Sequence, residues 1–383
     1  MITEPIGHFF LIAAVVHVTL LLQKRFAFFR SLGSALVVVV TGIALSNIGI
    51  LPGQSPFYDF MTRTGVNIAI LLILLSVDLE SLRQAGPRML AAFGLGALGS
   101  IVGAILATLL FSRQVGPETW KLTGGFAGTY IGGGVNFAAL AIAFETSSDV
   151  FTAAIASDVI LTAAWLAACL SIPVLLGRNQ HAVKPAEASD TSAAAKLLMI
   201  ERSLYESGRP VVLVHVAGLG TYVLGALWLS QFFSSLFPMI PAVLWLSTFA
   251  LVAAQIRPLR ALPGSAMLGN YMLLLFITCN GARSVVANII QMGPSIFYFA
   301  SAALVVHAVV IFGLGRLLKL DLPTLVIASS ANIGSPVSAI AVASGRGYTD
   351  LILPGVAVGL VGYAVGNYVG IAVGALARSF LVG

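Results

Sequence analysis

The sequence predicts an all-α polytopic membrane protein built from two like halves. Three observations predict it. The first is composition: of 383 residues, 58% are hydrophobic and only 9% are charged, and mean hydropathy is +1.01. Soluble domains carry about 25% charged residues, so a chain this apolar needs lipid as its solvent. The second is about twelve apolar runs long enough to span a bilayer, six on each side of one polar stretch. The third is a pair of matched, glycine-interrupted segments, one in each half.

The runs of the first half fall at roughly 6–22, 32–51, 65–80, 89–111, 121–144 and 150–176. The first is not a signal peptide. It opens on acidic Glu4, and its positive charges, Lys24 and Arg25, follow the apolar stretch. The second half repeats the series at roughly 211–232, 238–256, 265–280, 296–318, 322–344 and 350–377. Residues 1–176 and 211–383 are therefore expected to be two transmembrane repeats, joined by a polar linker over 177–210. In the linker, Leu197, Ile200 and Leu204 recur at helical spacing among Lys196, Glu201 and Arg202. That pattern predicts a short amphipathic helix on the membrane surface.

Charge excludes one class of partner. The net charge of +6 is spread over loops and forms no block suited to nucleic acid. The basic residues read as topology signals. Lys24, Arg25, Arg30, Arg83 and Arg88 put the first and third loops in the cytoplasm and the N-terminus outside, while Arg257, Arg260, Arg316, Lys319 and Arg378 suggest a cytoplasmic C-terminus. Six crossings per half make the halves parallel, whereas inverted repeats need an odd number. Either the linker enters the membrane or a short run, 65–80 or 265–280, does not cross. Cys169 and Cys279 sit inside apolar runs and read as packing residues.

The interrupted segments align without gaps: IGGGVNFAALAIA at 131–143 lies over IGSPVSAIAVASG at 333–345. Gly132 matches Gly334, Gly134 matches Pro336, and Asn136 matches Ser338. Paired interruptions of this kind point to the binding site of a secondary transporter.

These segments belong to longer stretches: GTYIGGGVNFAALA, AAIASDVILTAAW at 153–165, ASSANIGSPVSAIAVASG at 328–345 and LPGVAVGLVGYAVGNYVGIAVG at 353–374. In combination they resemble a family of bacterial and plastid membrane proteins, the YjcL-like domain-of-unknown-function family eight-one-nine. That family is grouped with the cation:proton antiporter and anion transporter superfamily, which includes the bile acid:sodium symporters. The resemblance implies two inverted repeats, each with one discontinuous helix crossing near the midplane. It also implies a moving core domain, a dimer-forming panel domain, and hence a homodimer in the cell's inner (plasma) membrane. The activity it implies is secondary transport.

The physics of the interruptions agrees. Irregular backbone survives at membrane depth only where it is buried in protein or lines a wet cavity. Unwinding exposes amide ends that favour anions and carbonyl ends that favour cations. The candidate substrate- and ion-binding residues are Thr129, Tyr130, Gly132, Gly133, Gly134 and Asn136 in the first segment. In the second they are Ser330, Asn332, Gly334, Ser335, Pro336 and Ser338, with Ser329 beside them. A carboxylate on the next helix, Asp158, joins them, because an acid deep in a membrane helix is costly and a functional candidate by default. In the related antiporters the matching helix carries the ion-binding acid. Asn136, Asp158 and Asn332 are the candidate ligands for a bound Na⁺, the one ion expected; no organic cofactor is expected. Ser157 stands where strong cation antiporters carry a second polar or acidic partner, which favours solute transport. Asp78, Glu80, Glu145 and Asp149 read as interfacial or turn acids, and Asn280 and Arg283 as weaker candidates. His17, His215 and His307 read as packed, hydrogen-bonded side chains.

The function expected is therefore a secondary active transporter for a small polar or anionic solute, coupled to Na⁺ or H⁺. The alternative is a cation:proton antiporter using Asp158. An enzyme is not expected, because the chain has no HExxH, no Gly-x-Ser-x-Gly elbow and no paired intramembrane acids.

Overall fold

The computed structural model describes residues 4–77, 82–175, 207 and 209–381. The amphipathic linker helix, Asp78 and Glu80 lie outside the described residues. Within them the chain is helical, with no strand. The first half comprises α1 (Pro5–Arg25), α2 (Ser34–Asn47), α3 (Pro56–Leu74), α4 (Leu82–Val115), α5 (Thr119–Gly132), α6 (Gly134–Ala143) and α7 (Ser148–Leu175). The second comprises α8 (Leu213–Leu236), α9 (Ala242–Gln255), α10 (Ser265–Arg283), α11 (Val286–Leu317), α12 (Leu322–Gly334), α13 (Pro336–Arg346) and α14 (Ile352–Leu381). Eight of the described helices are long and apolar enough to cross a membrane: α1, α3, α4, α7, α8, α10, α11 and α14.

Helix starts follow local chemistry. Ser55 caps α3 by accepting from the Phe57 N–H at 3.3 Å, with Pro56 in the first turn. Asp321 caps α12 by accepting from the Thr324 N–H at 2.9 Å, ahead of Pro323. Both pairings use the stop-and-start preferences of short polar residues and proline.

The two interruptions fall where the alignment puts them, but their geometry corrects an expectation. Gly133 (φ 80°, ψ −179°) separates α5 from α6, and Ser335 (φ 87°, ψ 178°) separates α12 from α13. A discontinuous helix that continued across the membrane would hold residues 24 positions apart about 36 Å from each other. Instead the Trp120 and Phe144 rings lie 5.1 Å apart. Gly125 backs onto the Phe137 ring, and Gly128 onto Leu140. The chain therefore reverses at Gly133, and α5–α6 is a re-entrant hairpin. At the second interruption, Gly355 of α14 touches both Ile327 of α12 and Ala339 of α13, and the bases of both limbs line one cavity. Thus α12–α13 is a second hairpin. Neither is a single discontinuous crossing.

Chain directions follow from the contacts. The start of α1 meets the start of α3 through His8 and Ser55 (2.9 Å), so α2 carries the chain between the two faces. Val211, just before α8, touches Gly264, just before α10, so α8 and α9 form an out-and-back pair. Helices α4 and α11 run antiparallel in backbone contact, Gly99 against His307 and Gly103 against Ala303. The described chain thus makes ten traverses, the eight long helices plus α2 and α9, and two hairpins that do not traverse. Among the described residues each half has five traverses, an odd number. Ten traverses also place both ends of the chain on one face, so an external N-terminus and a cytoplasmic C-terminus are mutually exclusive.

The hairpins enter from opposite faces. The base of the first lies by the end of α4, and the base of the second lies by its start, at Ala85–Met89.

Candidate functional site

The hairpin tips meet. A Cβ at Gly133 would sit 3.1 Å from the Ser335 Cβ. Both residues adopt a positive φ with extended ψ, a region that is essentially glycine-only. Glycine fills it in the first hairpin; in the second, Ser335 occupies it under strain.

The first hairpin is held by a glycine seam. Gly124, Gly128 and Gly132 of α5 oppose Gly370, Gly366 and Gly362 of α14; each approaches its partner's carbonyl oxygen, except that Gly362 meets that of Ile131 beside Gly132. Spacing of four places small residues on one helix face and lets two backbones touch. Asn136, at the start of α6, crosses this seam and donates from Nδ2 to the Gly362 carbonyl at 3.1 Å.

Around the tips, seven buried side-chain atoms have no hydrogen-bond partner: Thr129 Oγ1, Tyr130 OH, Asn136 Oδ1, Asp158 Oδ1, Thr162 Oγ1, and both Oδ1 and Nδ2 of Asn332. Buried polar groups in proteins are nearly always paired, and each exception calls for an explanation. Thr129, Tyr130, Asn136 and Asn332 are each within one helical turn of a tip and are 0% exposed. Thr162 of α7 lies against Gly334, its methyl 3.3 Å from where a Cβ would sit. Asp158 is one turn before Thr162 on the same face of α7, and within charge-interaction range of Tyr130. Asn332 fits because α4 presents Gly96 there: any side chain on Gly96 would collide with its amide.

The other sequence candidates take different places. Gly134 faces open space, with nothing within 4 Å of a Cβ. Pro336 packs on Gly359 of α14. The Ser330 and Ser338 hydroxyls turn back onto their own helices, donating to the Val326 and Gly334 carbonyls at 2.8 and 2.9 Å. Asp149 is a structural acid: it accepts from the Val285 N–H (2.8 Å) and Asn288 Nδ2 (2.6 Å) at the start of α11. Arg283 pairs with Asp59 at 3.2 Å, at the far end of α10 from its start. Neither Asp149 nor Arg283 reaches the tips. Cys169 and Cys279 are buried and free.

Sequence reasoning missed Thr162, Gly96 and a network behind the second tip. His307 is fully buried on α11. Its Nδ1 lies 2.9 Å from the Gly96 carbonyl and 3.0 Å from Ser100 Oγ, and its Nε2 2.9 Å from Ser329 Oγ. Trp165 Nε1 donates to the same Ser329 oxygen at 3.0 Å, and Ser100 Oγ donates to the Tyr130 carbonyl at 2.7 Å. A neutral His307 protonated on Nδ1 satisfies every member: Trp165 donates to Ser329, Ser329 to Nε2, and Nδ1–H to Gly96. This ties α4, α5, α7, α11 and α12 together one turn from Asn332. The periodicity of Asp158 and Thr162 was the available signal for Thr162; the His307 hydrogen-bond partners come from two other helices, α4 and α12, and leave no local signal.

Among the described residues, no group of three or more His, Cys, Asp or Glu side chains is arranged to hold a metal ion. An alkali ion held by hydroxyl, amide and carbonyl oxygens would not need such a group.

The chain is similar over 390 aligned residues to the "Uncharacterized membrane protein YjcL" of Bacillus subtilis (strain 168), with 28% identity, covering 97% of this chain and 96% of that protein. A family model described as "Protein of unknown function (DUF819)" matches residues 9–380. With its helical membrane fold and a family match along nearly its whole length, the chain belongs to the DUF819 family of membrane proteins.

Proposed function

We propose that this protein is a secondary active transporter that binds a small polar solute where the two hairpin tips meet, with transport coupled to Na⁺ or H⁺. The observation that carries the reading is the cluster of unpartnered, buried polar atoms at the junction of two hairpins entering from opposite faces. Such atoms are expensive in a membrane interior unless a ligand or water completes them. Opposed hairpins supply what alternating access needs, since each tip is separated from one solution only by its own hairpin.

In this reading the segments 1–176 and 211–383 are inverted repeats, and the partner lists of α1–α7 and α8–α14 support it. Helix α5 runs antiparallel to α14 as α12 does to α7, and α4 pairs with α11. The hairpins with α4, α7, α11 and α14 form the core, and α1–α3 with α8–α10 the panel, through which two copies would associate. The superfamily placement and the homodimer are part of this proposal. Lys24, Arg25, Arg83, Arg88, Arg257, Arg260, Arg316, Lys319 and Arg346 share one face, against Arg113, Lys121, Arg283 and Arg378 on the other. The positive-inside rule makes the first face cytoplasmic and both termini external. A C-terminal green fluorescent protein fusion should then stay dark; bright fluorescence would reverse the assignment.

The functional test is uptake of a labelled metabolite mixture by proteoliposomes under imposed Na⁺ or H⁺ gradients, read by mass spectrometry. Gradient-dependent accumulation of a solute is expected. Accumulation that survives collapse of both gradients, or none with any gradient, overturns the reading. A second reading, cation:proton antiport, is favoured by Asp158 alone and predicts cation-evoked pH changes in sealed vesicles that Asp158→Asn abolishes.

A further inference from the structure

We infer that the site at the hairpin tips takes an uncharged or cationic solute and rejects anions, with the Asn332 amide and the Asp158 carboxylate as its recognition groups. This rests on the transporter reading above and narrows the substrate class, removing the anionic alternative that the sequence left open.

Three observations carry it. The first is the charge inventory. Among the described residues no lysine or arginine is buried. The only buried imidazole at this depth near the tips, His307, has both ring nitrogens committed to Gly96, Ser100 and Ser329. The unpartnered groups comprise hydroxyls, amides and one carboxyl. Whether Asp158 is ionised or not, nothing there offsets an incoming negative charge, and an unpaired ion in a low-dielectric interior is strongly disfavoured.

The second is the hairpin geometry itself. An interrupted helix that continued across the membrane could aim an isolated amide end at an anion. A hairpin tip does so less strongly, because it brings a helix C-terminus and a helix N-terminus side by side: Gly132 ends α5 where Gly134 begins α6, and Gly334 ends α12 where Pro336 begins α13. The half-charges of opposite sign at these ends largely cancel. In the second tip Pro336 has no N–H to offer, which removes one of the donors an anion would use.

The third is Asn332. It is 0% exposed, and both its donor and its acceptor are unpartnered. An amide presenting both functions suits a solute that itself carries a donor beside an acceptor. Asp158 and Thr162, one turn apart on α7, add two acceptors for a donor-rich or positively charged group.

The test reads the local potential without knowing the solute. Ser338→Cys places a thiol on the first turn of α13, in a full-length background in which Cys169 and Cys279 are replaced by serine. The protein is reconstituted in proteoliposomes and treated with methanethiosulfonate reagents bearing a trimethylammonium group, a sulfonate or no charge. Each rate is normalised to that reagent's rate with a small thiol in solution. A single charge acts strongly across a low-dielectric interior, so the normalised cation-to-anion ratio should be about 10 or more. Adding Asp158→Asn should bring it within about 3-fold of unity. A ratio at or below unity in the Asp158 protein overturns the inference while leaving the transporter reading intact. Failure of even the uncharged reagent to react shows that the tips are never wetted, and removes the transporter reading together with the inference. Circular dichroism and gel filtration of each variant, with a second thiol at Ser335 (Ser335→Cys), guard against misfolding of the first.

Discussion

The two hairpins share a backbone plan and differ in what grips them. The first is zipped to α14 backbone against backbone, through Gly124, Gly128 and Gly132 on one side and Gly362, Gly366 and Gly370 on the other. Its base is clamped as well: Lys121 Nζ donates to the Glu145 carbonyl at 2.8 Å, and the Ser147 N–H donates to Glu118 Oε2 at 2.9 Å. The second hairpin meets α7 through side chains instead, Thr162 against Gly334, Trp165 to Ser329, and Leu170 against Gly345. Beside its base lies a cavity of about 790 Å³. Side chains can change rotamer, whereas two backbones in contact part only by moving whole helices. The same plan is thus gripped backbone to backbone along one hairpin, and in the other mostly by side chains, with backbone contact at Pro336 and Gly359.

The sharpest way to break the comparison is Gly132→Ala against Gly334→Ala. The added methyl at 132 collides with the Gly362 carbonyl, a backbone group of another helix; at 334 it meets side-chain atoms only, the Ser338 hydroxyl, which can rotate away, and the Ser338 Cβ, which needs a small shift of its own helix start. Overpacking costs about 1–3 kcal/mol and occasionally more. We expect the first variant at or above the top of that range and the second near its lower end, read as the shift in thermal unfolding of the detergent-purified protein. Equal shifts would mean that the seam is not special.

Asp158→Asn should come next, and should act on function alone. Its Oδ1 has no protein partner, so the melting temperature should hold within about 2 °C while ion-gradient-dependent flux falls at least about 10-fold. A large loss of stability would make Asp158 structural.

The two asparagines separate stability from binding. Asn136 bonds across the glycine seam, and Asn332 bonds to nothing. Asn136→Ala should destabilise by about 1 kcal/mol or more through the lost hydrogen bond and the void. Asn332→Ala should leave stability unchanged or slightly raised while abolishing solute uptake. The reverse pattern would exchange the roles assigned to the two tips.

The smallest effect expected is at Ser335. Its φ of 87° with extended ψ suits glycine. Ser335→Gly should therefore stabilise the protein by about 0.5–1 kcal/mol, whereas Gly133→Ala at the matching position should destabilise it. Hydrogen exchange would show the accompanying change in mobility at the second tip.

Much of this was legible in the sequence. The alignment of IGGGVNFAALAIA with IGSPVSAIAVASG located both interruptions to within three residues, and the isolated acid drew attention to Asp158. The reversal was not legible. A 25-residue apolar segment with a glycine in the middle has the same length and composition whether it continues or turns back. Only the parity of the crossings hinted at the difference. Gly96 and the partners of His307 were invisible for another reason: a glycine that makes room for Asn332, and hydrogen-bond partners on helices far apart in sequence, have no local periodicity to betray them; that His307 is packed and hydrogen-bonded was read correctly.

Because the hairpins reach in from opposite faces and touch at Gly133 and Ser335, the insulating layer between the two solutions is thinnest there. Were either vestibule to fill with water, most of the membrane voltage would fall across the few ångströms of the tips. Moving one elementary charge through the whole field is worth about 2.3 kcal/mol per 100 mV, and here a displacement of a few ångströms would suffice. A bound cation at this point would be driven by voltage almost as fully as one carried from face to face, so the stroke that moves it electrically need not be a long one.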